Sequence, residues 1–214
     1  DVKGAGAWSL RTCRLATVLA LLVFVPMYLE SETIVELWLV TPPEYTVGFV
    51  RVMAVMYLVT QFVTGGKTLI SARGKIGLYE TCVSAFYLSA VILAWIIVKI
   101  GLPVHYAVVC YLVSTVGYAA VTMVIACQIP GFEFGRWIRT NLIPGIGVLV
   151  VAMVVGWYVG GCVAHPLGRC IVVACATSCV IGVLAGKLML TAEERELVFK
   201  RISQFWRGGF PTRQ

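Results

Sequence analysis

Long apolar runs alternate with short polar stretches along the whole chain. A helix that crosses the hydrocarbon core of a bilayer needs about 20 mostly apolar residues, and six runs come close to this length. They predict transmembrane helices at residues 8–29, 45–70, 81–98, 105–126, 141–163 and 170–190. The pattern therefore predicts an all-α integral membrane protein in which residues 1–190 form one six-helix domain.

Proline and glycine interrupt the pattern and keep the connections short. The predicted breakers are Pro42-Pro43, Gly65-Gly66, Gly101, Pro103, Pro130-Gly131 and Pro166 with Gly168. Two further elements are predicted outside the spans. Residues 132–140 mix aromatic side chains with arginines, which is typical of a helix lying in the membrane interface. Residues 191–214 open with a capping box of Thr191 and Glu194 and predict a cytoplasmic amphipathic helix with a tail.

The composition agrees with a membrane protein. Hydrophobic residues make up 60% of the chain and charged residues 13%, whereas a soluble domain carries about 25% charged residues. A single core of a chain this size would not bury that much apolar surface. The bilayer is therefore the predicted solvent for most of the side chains.

The net charge of +7 is distributed unevenly along the chain. One side of the predicted membrane receives 14 of the 17 Lys and Arg residues, and the other receives only Lys99 and Arg169. Acidic residues at positions 30, 32, 36 and 44 accompany these two. Because cytoplasmic loops are enriched in Lys and Arg, both termini are predicted to be cytoplasmic. Anionic headgroups then account for the charge, which makes membrane lipids, and not nucleic acid, the predicted partners.

No catalytic constellation is visible in the sequence. The serines lack a neighbouring histidine and carboxylate, His105 and His165 are isolated near predicted helix ends, and no phosphate-binding loop is present. The eight cysteines lack metal-ligand spacing and are interpreted as small hydrophobes on helix faces. The sequence therefore predicts neither an enzyme nor a cofactor or metal site. All ten acidic residues lie in loops, tails or helix ends, so no mid-membrane carboxylate is available for proton or sodium coupling.

Arg51 is the exceptional charge, because it lies about six residues inside the second predicted span, roughly 9 Å from the external end. Three interpretations remain open. Its side chain snorkels to the outer interface, or it faces an aqueous cavity and binds an anionic substrate group, or it pairs with Glu44 or another acid.

Glycines recur in the fifth predicted span, at positions 145, 147, 156, 160 and 161. Small residues in membrane helices allow close helix packing. A hinge for a conformational cycle is the alternative interpretation.

Four short segments resemble a known family when their order and helix context are taken together. They are LWL at 37–39, PEYTVGFVR at 43–51, ARGKIGLY at 72–79 and LTAEER at 190–195. In this respect the chain is similar to bacterial O-antigen-type polysaccharide flippases of the multidrug/oligosaccharidyl-lipid/polysaccharide exporter superfamily. The sequence departs from the family pattern at Arg73, where members commonly carry a small or polar residue.

The resemblance implies a fold and a function. Members have two helical lobes around a central cavity, and this chain looks like the C-terminal lobe of such a MATE-like transporter, with the N-terminal lobe missing. The implied activity is movement of lipid-linked oligosaccharide, on an undecaprenyl diphosphate carrier, across the bacterial cytoplasmic membrane by alternating access. Arg51 would contact the diphosphate, and Lys67, Arg73 and Lys75 would gather the headgroup. The alternatives are a multidrug or small-cation exporter of the same superfamily and a non-transporting scaffold of polysaccharide assembly.

The uneven charge distribution makes the orientation testable by thiol labelling in intact cells. Cys162 and Cys170 lie in the short external connection before the last span and should react with an impermeant reagent added outside, unless they are bonded to each other. A cysteine replacing Ser203 should react only after the inner face is exposed. Labelling of that cysteine in intact cells would reverse the predicted orientation.

Overall fold

The computed structural model describes residues 2–39, 41–74, 76–103, 105–191 and 194–196. Within these ranges the chain forms helices and no strand. The described elements are eight α-helices and one π-helical turn. In chain order they are α1 (Val2–Leu29), α2 (Ser31–Trp38), α3 (Thr46–Ala72), α4 (Ile76–Lys99), α5 (His105–Cys127), α6 (Phe134–Trp137), the π turn (Ile138–Leu142), α7 (Ile143–Gly161) and α8 (Pro166–Leu188).

Six helical segments of the described chain are long and apolar enough to cross a membrane, as predicted. They are α1, α3, α4, α5, the continuous stretch from α6 through α7, and α8. The chain is therefore a multi-pass membrane protein. The third span begins at Ile76, five residues earlier than predicted, because the turn at Gly74, with a φ of 71°, directly precedes it.

The predicted interfacial helix at residues 132–140 is not a separate element. The backbone runs without interruption from α6 through the π turn into α7, so the fifth span covers Phe134–Gly161 and not residues 141–163. Ile138, Leu142 and Ile143 all keep right-handed helical dihedral angles. The aromatic and arginine residues that indicated an interfacial helix therefore belong to the first turns of a spanning helix.

The acidic connection after the first span contains a short helix that the hydropathy pattern did not predict. This is α2, whose side chains Ser31, Thr33 and Val35 are buried against the bundle. Its other positions are exposed and carry two acids, Glu32 and Glu36, and three apolar side chains, Ile34, Leu37 and Trp38.

The bundle is organised around α1. One side of α1 packs against α3, and the other side packs against the pair of α7 and α8. Next to α3 lies α5, and α4 packs mainly on α5. Most side chains of α4 face outward and are apolar, including the largely exposed Leu88 and Trp95, which is the arrangement expected of a helix that contacts lipid.

The two ends of the bundle differ in charge. We call the end that carries Arg11, Lys67, Arg73, Arg139 and Lys187 the basic end. We call the end that carries Glu30, Glu32, Glu36, Lys99 and Arg169 the acidic end.

Gly65 and Gly66 lie inside α3, so the prediction that they break the chain is wrong. A Cβ atom on Gly65 would lie 2.0 Å from the carbonyl oxygen of Ser9 in α1, and one on Gly66 would lie 2.8 Å from Met123 in α5. The Ser9 hydroxyl donates a hydrogen bond of 2.7 Å to the Gly65 carbonyl. The two glycines therefore let α1 and α5 approach α3 from two directions.

Glycines of the fifth span divide into two groups. Gly145 and Gly156 are buried, and a Cβ atom on either would clash with Phe62 or Leu29. Gly147 and Gly161 face open space. Close packing is thus observed at two of the five positions named above, while the hinge stays a prediction.

Most of the predicted cytoplasmic helix and tail lies outside the described residues, as does Ser203. The capping box at its start is described and is confirmed. The backbone N–H of Thr191 donates to Glu194 Oε2 at 3.0 Å, and the N–H of Glu194 donates to the Thr191 hydroxyl at 3.4 Å.

The close contact at Gly65 predicts a large effect from a single methyl group. Gly65→Ala should destabilise the folded bundle by about 1–3 kcal/mol, the usual cost of overpacking, because the new Cβ would displace the backbone of α1. The matched control is Gly48→Ala in the same helix, where the added Cβ has open space around it. Thermal unfolding in detergent measures both, and equal melting temperatures for the two variants would contradict the packing role.

Candidate functional site

Arg51 is held at the acidic end by groups from α1 and α2. Its Nε donates to the Ser31 hydroxyl at 2.8 Å, and its Nη2 donates to Glu32 Oε1 at 3.0 Å. The guanidinium carbon lies 5.8 Å from the centre of the Tyr28 ring. Of the three interpretations of Arg51, a structural ion pair is therefore the one seen, with Glu32 as the partner in place of Glu44.

This ion pair is open to solvent. The side chains of Arg51 and Glu32 are 36% and 63% exposed. Exposed pairs of this kind contribute roughly 0–1 kcal/mol. An anion that reaches Arg51 would therefore displace Glu32 at low cost.

A second ion pair at the acidic end is buried more deeply. Arg169 in α8 donates from Nε to Glu30 Oε2 at 2.8 Å and from Nη2 to the Thr33 hydroxyl at 2.9 Å. The Glu30 side chain is only 5% exposed. Because Glu30 follows α1 directly and Thr33 belongs to α2, this network ties α8 to both helices.

A cavity of about 540 Å³ opens beside this network. Glu30 and Arg169 line it together with Trp157 and Tyr158 of α7. Gly160 keeps it open at one point, since a Cβ there would come within 3.5 Å of Glu30 Oε1.

The other predicted substrate-binding residues lie far from Arg51. Lys67 and Arg73 are exposed at the basic end, and Lys75 lies outside the described residues. Sixteen residues separate Arg51 from Lys67 along α3, which corresponds to about 24 Å at 1.5 Å per residue. Arg51 therefore does not form one site with Lys67 and Arg73, and the roles of all four residues in substrate binding stay predictions.

From its middle to just past Lys67, α3 carries a row of uncharged polar side chains that we call the polar stripe. Its members are Tyr57, Thr60, Gln61, Thr64 and Thr68. All five are half-buried or exposed. Because their spacing of three or four residues places them on one face of the helix, the stripe runs along the middle and basic half of a membrane-spanning helix.

The hydroxyl groups of the stripe donate inward. Thr60 donates to the Tyr57 carbonyl at 2.7 Å, Thr64 to the Thr60 carbonyl at 3.0 Å, and Thr68 to the Thr64 carbonyl at 3.1 Å. Their hydrogens are thus satisfied within the helix. The Thr60 oxygen also accepts from Gln61 Nε2 at 3.4 Å, so the oxygens of Thr64 and Thr68 keep the most acceptor capacity. The stripe therefore offers acceptors to water or to the hydroxyl groups of a ligand.

Arg51 does not lie on this face. At about 100° per residue it is rotated about 120° from Tyr57 around the axis of α3. That direction coincides with the buried side of the helix, which carries Leu58 and Phe62. The helix thus presents a polar stripe in one direction and an anchored cation in another.

Asn141 is a polar residue that the sequence analysis did not single out. It lies in the π turn, is fully buried, and donates from Nδ2 to the Phe62 carbonyl of α3 at 3.1 Å. The indole N–H of Trp137 donates to the same carbonyl at 3.0 Å. Two side-chain bonds to one backbone oxygen therefore join the fifth span to α3.

Both missed features leave a signal in the sequence. Asn141 lies two residues before α7, the most apolar helix of the chain. Polar side chains in membrane helices commonly form hydrogen bonds to a neighbouring helix. The stripe appears when positions 57–68 are plotted at 100° intervals. Neither interrupts the apolar run, so a hydropathy window does not report it.

All eight cysteines are free thiols in the structure. Cys162 is exposed, and the thiol of Cys170 lies 3.8 Å from Glu30 Oε2. Cys162 and Cys170 are thus not bonded to each other in this state.

Comparison of the chain with protein-family models, with curated proteins and with solved structures finds no match. A functional proposal for this chain therefore has to rest on its own geometry.

The two ion pairs at the acidic end should differ in their effect on stability. Glu30→Gln should lower the free energy of unfolding by about 1–3 kcal/mol, since it weakens charge-assisted bonds to Arg169 in a buried position. Glu32→Gln, the same change in an exposed pair, should cost at most about 1 kcal/mol. Thermal unfolding in detergent gives the comparison, and a larger loss for Glu32→Gln would reverse the assignment.

Proposed function

We propose that this chain is one lobe of a transporter that moves lipid-linked oligosaccharide across the cytoplasmic membrane of bacteria. The observation that carries the proposal is the polar stripe of α3, which extends across much of a helix that otherwise has the composition of a membrane span. The order of segments 43–51, 72–79 and 190–195, which resembles the flippase family, agrees with it.

Lipid acyl chains are an unfavourable environment for the polar side chains of the stripe. Gln61 shares long hydrogen bonds of 3.4 and 3.3 Å with Thr60 and Thr64. Hydrocarbon offers no partner for the remaining donor and acceptor capacity of these side chains, and unsatisfied polar groups are costly there. An aqueous cavity supplies these bonds. We therefore infer that the stripe faces a solvated path, completed by helices of a second lobe, and that the two lobes alternate in opening it to either side.

The chemistry of the stripe suits an oligosaccharide. Sugar hydroxyl groups are donors, and the oxygens of Thr64 and Thr68 are acceptors. An exposed cation at the basic end, Lys67, is available for a phosphate group that starts its passage there.

Arg51 would receive the anion at the other end. Its exposed pair with Glu32 keeps the guanidinium oriented, and a diphosphate with its larger negative charge competes with that single carboxylate. We take the acidic end to be outside, as the positive-inside distribution predicts. Passage would therefore run from Lys67 along the stripe toward the acidic end, where Arg51 lies about 120° from the stripe around the axis of α3.

The test is export in cells whose only copy of the transporter carries a variant of this chain. Gln61→Leu should reduce surface polysaccharide several-fold at unchanged protein level, because it replaces a hydrogen-bonding side chain in the middle of the stripe by an apolar one. The matched control is Gln128→Leu, the same change at an exposed position after α5, which should export normally. Equal export by the two variants would reject the stripe as a solvated path.

The same assay examines the role of Arg51. Arg51→Gln should abolish export while leaving the protein inserted, and Arg51→Lys should retain part of it, since the charge survives and the bidentate fork is lost. Normal export by Arg51→Gln would reject substrate contact. Loss of the protein itself would assign Arg51 to the structural pair with Glu32 alone.

A further inference from the structure

A second charged site lies at the basic end, on the opposite side of the membrane from Arg51. There a cavity of about 330 Å³ opens between the start of α1 and the residues that follow α8. It is lined by Ala7, Trp8, Arg11, Arg14, Thr191 and Glu194. Two guanidinium groups thus line one cavity.

The two arginines share a single carboxylate. Arg14 Nη2 donates to Glu194 Oε1, and Arg11 Nε lies 3.6 Å from the same oxygen. Among the described residues, no other carboxylate pairs with either arginine. This part of the cavity wall therefore keeps one positive charge in excess.

Arg14 is buried, and one of its hydrogen-bond donors lacks an acceptor among the described residues. Its side chain is only 10% exposed, and its Nε–H is fully buried and bonds to no acceptor in the described part of the chain. A buried guanidinium donor without an acceptor is costly. Arg14 is thus incompletely paired among the described residues, and the partly exposed Arg11 is the arginine that an entering anion reaches more easily.

The Glu194 carboxylate is stabilised in its ionised form. Burial raises its pKa, but the hydrogen bonds from Arg14 and from the Thr191 N–H outweigh burial and bring the pKa of Glu194 below its ordinary value. At neutral pH the carboxylate is thus ionised. An anion that enters the cavity therefore competes with the Glu194 carboxylate for Arg11 and Arg14.

The position of the cavity indicates where such an anion comes from. Trp8 is largely exposed at its rim, and Arg11 lies over the indole ring at 5.0 Å. Exposed tryptophans of membrane helices lie at the level of the lipid headgroups. A phosphate, a few times larger than the ~30 Å³ share of a water molecule, fits this volume together with the glycerol that carries it.

We propose that this cavity binds the phosphate of an anionic membrane lipid through Arg11 and Arg14, in competition with the internal carboxylate of Glu194. Basic pockets between transmembrane helices on the cytoplasmic side are suited to anionic headgroups. The site is separate from the polar stripe and from Arg51, so the proposal does not depend on the transport function.

Native mass spectrometry of the detergent-solubilised full chain tests the proposal, with phosphatidylglycerol as the probe and phosphatidylcholine as the zwitterionic reference. Arg11→Gln should weaken retention of phosphatidylglycerol roughly tenfold, because a hydrogen bond to a charged group is worth about one such factor. Arg11 is 25% exposed, so this variant should fold where an Arg14 variant would lose a buried pair. Glu194→Gln weakens the buried pair with Arg14, so its melting temperature is measured alongside. In the folded variant, retention should strengthen several-fold, since the competing charge is removed.

The matched control is Arg139→Gln, which removes the same group from an exposed position at the same end. It should change retention less than about twofold, as expected of a screened surface charge. Equal retention by the wild type and the Arg11 and Glu194 variants would overturn the proposal. Equal retention of both lipids by the wild type, or complete displacement of phosphatidylglycerol by inorganic phosphate, would also overturn it.

Discussion

The contact between α1 and α3 at Gly65 is the interaction on which the rest of the bundle depends. In lipid the hydrophobic effect does not drive helices together, so close packing and interhelical hydrogen bonds must do so. Gly65 supplies the first, and the bond from Ser9 to its carbonyl supplies the second. The pair of α7 and α8 then packs on α1, and α5 packs on α3, so both halves of the bundle are joined through this crossing.

The sequence was sufficient to predict the six spans because bilayer thickness sets their length. It did not predict the role of Gly65-Gly66, since glycine breaks helices in water but permits close approach in membranes. The Arg51 partner was left open between Glu44 and another acid because the choice depends on α2, an eight-residue helix that a hydropathy window does not detect. The stripe was missed because threonine, tyrosine and glutamine scattered at helical spacing leave the average of an apolar run high.

The positively charged side chains are paired with carboxylates in different proportions at the two ends of the bundle. At the acidic end each arginine of the described chain has its own carboxylate, Glu30 for Arg169 and Glu32 for Arg51, so the positive charges are matched one to one. At the basic end two arginines share Glu194, while Lys67, Arg73 and Arg139 are exposed. The basic end is therefore suited to attract anions, and the acidic end to hold them only by exchange with a carboxylate.

The side chains of α3 point in different directions around the helix axis. Under the proposed function, these directions indicate which helices of the lobe would move together. Around the helix axis, Gly65 lies about 80° from Tyr57 and Gly66 about 180° from it. Gly66 and its contact with α5 are thus turned away from the polar stripe, whereas Gly65 lies only about 40° from Gln61. Helices of a second lobe can therefore approach or leave the stripe without disturbing the contact with α5. A transport cycle would therefore change what covers the stripe while α3 and α5 move as one body, which is the rigid-body rocking expected of alternating access.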